Sequence, residues 1–184
     1  MSQSKPKRAV GSTIRRPLLA GALAAAAVTP VSAVADIFLN LPGVPGESTA
    51  VGHKTEINIL SYTQSFKNTP AVGGAGAGKV TCGDITLLKN IDKSSPQLIK
   101  AVTTGQHFDK AVITFRAATA TGKAATDYYT VALQDILITS IDQTDQPDAA
   151  RIVERVSLNA KQFEFKYTLG AVDFKFDCSQ VNAQ

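Results

Sequence analysis

Two histidines, His53 and His107, are the side chains in this 184-residue sequence best suited to moving protons near neutral pH. His107 and Asp109 stand two positions apart, so on a strand they share a face, and a serine beside them would complete a nucleophilic set. No G-x-S-x-G elbow fixes such a serine, and no second base is placed. Metal chemistry fares no better, because neither C-x-x-C nor H-E-x-x-H occurs. Asp142, Asp145 and Asp148 lack the spacing and the bracing glycine of a calcium loop. We therefore expect no catalytic residue, no cofactor and no metal site, and read both histidines as surface or loop-anchoring groups.

A glycine-rich run, Gly73-Gly74-Ala75-Gly76-Ala77-Gly78-Lys79, matches the first seven positions of a phosphate loop. Its context is wrong for that chemistry. Val80 stands where the hydroxyl residue belongs, Asn68-Thr69-Pro70 enters the run in place of a buried strand, and a strand pattern leaves it where a helix should begin. A plain connecting loop is expected. Two cysteines remain, Cys82 and Cys178. In an exported protein they form a possible disulfide, whose loop of about 96 residues would stabilise the fold by about 4 to 5 kcal/mol on the chain-entropy model. Spacing alone leaves two buried free thiols as the alternative.

Export is suggested by residues 1–35, which carry Lys5, Lys7, Arg8, Arg15 and Arg16 and no acidic residue. An Ala-rich apolar run from Leu18 to Val28 follows, then Val31-Ser32-Ala33 and Ala33-Val34-Ala35, small-residue patterns that a signal peptidase cuts behind. The run is too short for a permanent membrane span of about 20 residues. We read a cleaved signal peptide and no membrane insertion afterwards. Arg15-Arg16-Pro17 resembles a twin-arginine signal, but Ile14 replaces the usual Ser or Thr and favours the general secretory route. Five of the 19 basic residues leave with this segment, so the remainder is close to neutral against 15 acidic residues. With no basic stripe and no interleaved aromatics, nucleic-acid binding is not expected.

The elements that must position any site are mostly strands. Asp36 to Leu41 and Ile57 to about Tyr62 alternate, and Pro42-Gly43-Val44-Pro45-Gly46 separates them. Val80 and Cys82 share one parity and Ile85 and Leu87 the other, which implies a bulge-like slip at Gly83-Asp84 or, alternatively, a strand covered on both faces. Ser95 before Pro96 predicts a capped helix to about Thr103, with Leu98, Ile99 and Val102 on its buried stripe and Gly105 ending it. Ala111 to Phe115 is a strand, and Ala117 to Asp127 a polar loop. Tyr128 to Ile141 alternates with a slip at Gln134-Asp135, and an acidic turn is expected from Asp142 to Ala150. Arg151 to Tyr167 is long for one strand, with a bend expected at Asn159-Ala160. The final hairpin alternates over Phe163, Phe165, Tyr167 and then Val172, Phe174, Phe176 and Cys178, making its apolar face a core wall. Seven or eight strands with one helix predict a mainly β fold, a single closed or nearly closed β-barrel with the helix over one opening. Residues 36–178 form that domain, and 179–184 a disordered tail.

The segment LLKNIDKSSPQLIKAVTTGQHFDKAVITFR, above all Ile91-Asp92-Lys93-Ser94-Ser95-Pro96 and Thr104-Gly105, resembles the signature of the Hcp family, the tube proteins of type VI secretion. The likeness extends to Glu47-Ser48-Thr49 with His53 to Ile57, to Leu133 to Ser140 and to Glu154 to Leu158. It implies a non-catalytic structural subunit forming a homo-hexameric ring, rings that stack into a tube, and small effector proteins in the lumen. The glycine-rich run would then lie at the contact between rings. The export segment departs from the family pattern, whose tubes assemble in the cytoplasm. An exported relative, periplasmic or secreted, that keeps the fold and the ring reconciles the two, and a secreted or periplasmic binding module is the alternative.

Overall fold

The computed structural model describes residues 35–70, 79–117, 125–145 and 151–179. Residues 1–34 of the expected export segment, the glycines of the phosphate-loop-like run, Asp148 and residues 180–184 lie outside them. Ten strands and one helix are present among the described residues: β1 Asp36–Asn40, β2 Ile57–Ile59, β3 Ser61–Thr63, β4 Phe66–Thr69, β5 Lys79–Cys82, β6 Ile85–Asn90, α1 Ser95–Thr104, β7 His107–Ala117, β8 Thr126–Thr144, β9 Val153–Tyr167 and β10 Val172–Asp177. Every pairing is antiparallel. The main sheet runs β2-β1-β7-β8-β9-β6-β3, with β10 also on β9. Because β2 comes back against β6, the sheet curls into a nearly closed barrel.

Two places where side-chain parity changes bend the long strands around this barrel. Val131 and Leu133 point inward before Asp135, and Ile136 and Ile138 after it. Asp135 takes a positive φ of 53°, which costs an ordinary side chain and marks a kink. Opposite it β9 does the same: Val156, Leu158 and Ala160 are buried, then Phe163. Gln134 pairs with Gln162 and Ile136 with Ala160, so the two slips face each other and both strands turn together. β9 therefore stays one 15-residue strand, its parity changing just beyond the expected bend. β8 also runs on to Thr144, so Asp142 lies in a strand paired with Arg155 and not in a turn.

The slip at Gly83-Asp84 has a larger consequence than a bulge. Ser61–Thr63 pairs with Leu88–Thr86, and Phe66–Thr69 pairs with Cys82–Lys79, so two residues on one side face three on the other. One extra residue is present, as a bulge-like slip implies. The ladder is also broken there, and β4 and β5 form a two-stranded sheet of their own.

Helix α1 packs on β8 with Leu98 and Ala101 fully buried. Burying Leu98 alone stabilises by about 2 kcal/mol. Gly105 ends the helix at φ 64°, and its N–H bonds to Ala101 O. Two expectations are corrected. Ile99 is exposed, since one turn in a single-layer contact buries only the Leu98–Ala101 line with Val102 half-buried. The N-cap is Ser94 and not Ser95, whose hydroxyl is taken by buried charges.

Candidate functional site

The hydroxyl of Ser95 donates to Glu154 Oε1 at 2.6 Å and accepts the N–H of Asp92 at 3.1 Å. Lys89 Nζ lies 2.6 Å from the same carboxylate oxygen, 2.9 Å from Asp92 Oδ1 and 2.8 Å from Asn90 O. Gln143 donates to the second oxygen of Glu154 at 3.1 Å. Lys89 and Glu154 are fully buried. Charges can be held there because each ammonium proton and each carboxylate oxygen has a partner. Burial alone raises the Asp92 carboxyl, but hydrogen bonds from Ser94 and Lys89 outweigh it and hold the group below its ordinary range. This network fixes the start of α1 to β6 and β9. Periodicity could not reveal it, because Lys89 and Glu154 look like ordinary strand charges until the register makes them cross-strand partners.

A second polar cluster surrounds His53. Its Nδ1 lies 2.7 Å from Glu56 Oε2, and its Nε2 faces both oxygens of Asp127 at 3.2 and 3.1 Å. The ring stacks on Phe38 at 4.3 Å between centroids. Arg116 donates from Nε to Asp127 at 2.7 Å and from Nη1 to Val51 O at 3.0 Å, and its guanidinium sits over Phe38. Phe38 is thus buried on the face of β1 opposite Leu39. Burial raises the Asp127 carboxyl, yet the hydrogen bonds from Arg116 and His53 bring it below its ordinary value.

Both ring nitrogens of His53 face carboxylates, so neither is directed at a hydroxyl that could serve as a nucleophile. Its arrangement anchors the loop between β1 and β2 to the ends of β7 and β8. His107 is exposed and pairs with Asp135 at 3.0 Å, so its partner is across the sheet and is not Asp109. The two histidines are not brought together with a hydroxyl.

The remaining unusual feature is apolar. β4, β5, β9 and β10 enclose a cleft of about 500 Å³ lined by Phe66, Val80, Tyr129, Phe165, Phe174 and Phe176. Phe66 sits edge-on to Phe163, Phe165 and Phe176 at 5.4, 5.9 and 5.3 Å. Desolvation here raises the Tyr129 hydroxyl. Cys82 and Cys178 meet beside it as a disulfide with Cα atoms 6.3 Å apart. The hairpin is a core wall only at its Phe163 end. Towards the turn Tyr167, Leu169, Val172 and Phe174 are exposed, the last at 62%. The described strands pair β10 on one side only, so its outer edge is open as well.

A family model described as "Type VI secretion system effector, Hcp" matches residues 38–167. Protein hcp1 of Pseudomonas aeruginosa is 33% identical over 135 residues, covering 72% of this chain and 82% of that protein. Among solved structures, Hcp1 from Salmonella typhimurium superimposes with a TM-score of 0.68 at 24% identity, covering 80% of this chain and 97% of its own. A type VI secretion system effector from Yersinia pestis gives 0.64 at 24% identity, with 77% and 99% covered. These two likenesses concern the fold.

Proposed function

We infer that this chain, which belongs to the Hcp family of the type VI secretion system, is a non-catalytic building block that closes into hexameric rings after export from the cytoplasm. The exposed apolar row on the β9–β10 hairpin, beside the open edge of β10, is the observation that carries this reading. A soluble monomer gains nothing by exposing Tyr167, Leu169, Val172 and Phe174 together, whereas a ring buries them. An open strand edge also supplies main-chain groups for a neighbour, and a head-to-tail contact repeated around an axis closes into a ring. The rings stack, and their lumen holds small effector proteins.

Residues 1–35 are the export signal in this reading, and the barrel of 36–178 is the working part. The route is the general secretory one, and the protein acts in the periplasm or outside the cell. The double substitution Val172→Lys/Phe174→Lys tests the contact by placing repelling charges on the row. Loss of the hexamer with an unchanged circular dichroism spectrum supports the reading; a hexamer that survives places the contact elsewhere. The aromatic cleft favours a second reading, an exported binding module, in which the protein stays monomeric and an apolar ligand fills that cleft.

A further inference from the structure

We propose that the Cys82–Cys178 disulfide is a redox latch that holds the β4–β5 hairpin against β10, and that its reduction lets the hairpin swing away and opens the aromatic cleft. Among its described residues the hairpin has few other attachments. Its ladder is separate from the eight-stranded sheet, all four residues of β4 are exposed, and β5 is exposed or half-buried. Among its described residues the apolar contacts to the cleft are half-buried Val80 and Phe66, and that ring is itself 42% exposed. The disulfide joins the last residue of β5 to the residue just after β10. It therefore bridges two elements that the main sheet does not hold together.

A hinge lies where the ladder is interrupted. Gln64 and Ser65 on one side face Gly83, Asp84 and Ile85 on the other, tied by a hydrogen bond from Gly83 N–H to Ser65 O of 2.9 Å. A side chain at Gly83 would meet Ser65 Oγ at 2.6 Å and Ser65 O at 3.1 Å, so the two strands run close together here. Gln64 Oε1 accepts a hydrogen bond from the Tyr62 hydroxyl at the same place.

The barrel does not depend on the disulfide. Its core of Ile85, Leu87, Leu133, Leu158 and their neighbours closes through ladders that do not include either cysteine. In the reductive step a dithiol donates two electrons and two protons. One of its thiolates attacks a cysteine sulfur and forms a mixed disulfide as the Cys82–Cys178 bond breaks and the other cysteine leaves as a thiol; the reductant's second thiol then attacks its own sulfur in the mixed disulfide and displaces the cysteine first attacked, so two protein thiols remain and the reductant leaves as a disulfide. Both cysteines are half-buried, within reach of such a reagent.

Hydrogen exchange followed by mass spectrometry, on oxidised protein, on protein reduced with dithiothreitol, and on the Cys82→Ser/Cys178→Ser variant, tests the latch. Amides of β4, β5 and β10 are expected to exchange about tenfold or more faster once the bond is gone, with β7, β8 and the first half of β9 unchanged. Binding of an apolar fluorescent dye should rise in parallel and fall again on reoxidation of the wild-type protein. Equal exchange in all three samples would overturn the proposal, because packing of Phe66 would then be sufficient. Faster exchange throughout the barrel, or failure of the serine variant to fold, would overturn it too, by making the bond a staple of the whole domain.

Discussion

Replacing Lys89 by Met removes one partner of the buried pair while keeping a similar volume. In the structure Lys89 and Glu154 are 1% and 0% exposed and 2.6 Å apart. The substitution leaves Glu154 with the Ser95 hydroxyl at 2.6 Å and the Gln143 amide at 3.1 Å, and it strips Asp92 of its cation. Two neutral donors cannot replace an ammonium, so the loss should fall at about 3 to 5 kcal/mol, the range for a buried charge left uncompensated. In a domain of this size that lowers the melting temperature by roughly 10 °C. Urea unfolding of the wild type, Lys89→Met, Glu154→Leu and the double variant forms a complete cycle. The double variant should recover most of the loss, because the fully buried carboxylate has then gone with its cation and Asp92 keeps the hydrogen bonds from Ser94. A single-variant loss below about 1 kcal/mol, typical of an exposed pair, would refute the reasoning, as would strict additivity.

Three further outcomes follow from the same structure. Asp127 and Asp92 both have depressed folded-state pKa values, so each contributes stability above its unfolded value of about 3.9 that is lost as the pH falls through the folded one. Asp127→Asn should therefore lower stability at neutral pH and converge with the wild type at the acid end of a urea titration; a constant gap across pH would contradict the linkage. Gly105→Ala, at φ 64° with open space around the added carbon, should cost about 1 kcal/mol from the backbone alone. Gly46→Ala should cost far more, since a Cβ there would meet Glu56 O at 2.3 Å and Ile57 Cα at 2.4 Å; chemical unfolding of both glycine variants checks the order.

What was legible in the sequence was whatever a local pattern enforces. Period-two alternation over Phe163 to Tyr167 and Val172 to Phe176 gives the hairpin, because side chains on a pleat must alternate. The parity change at Gln134-Asp135 gives the kink, and the Thr104-Gly105 stop gives the helix end. What escaped depends on partners distant in the chain. The Lys89–Glu154 pair is made by strand register across 65 positions, and Asp127 reaches His53 across 74. Nothing near Phe38 in sequence announces that the loop carrying His53 folds over it. The reach of the core along the last hairpin was overestimated for the converse reason: alternation reports which face is apolar and not whether anything covers it, and Phe174 is left open. The likeness of Ile91 to Pro96 to the Hcp signature proved the most informative local signal. Its physical content is the network that Asp92, Ser94 and Ser95 build around a buried ion pair.

The central claim is that this barrel works through its rim, by joining copies of itself. Light scattering of the purified protein at high concentration, with electron micrographs of the same sample, tests it most directly. Six times the chain mass and six-fold rings are predicted; a monodisperse monomer with the apolar hairpin still folded would contradict the account.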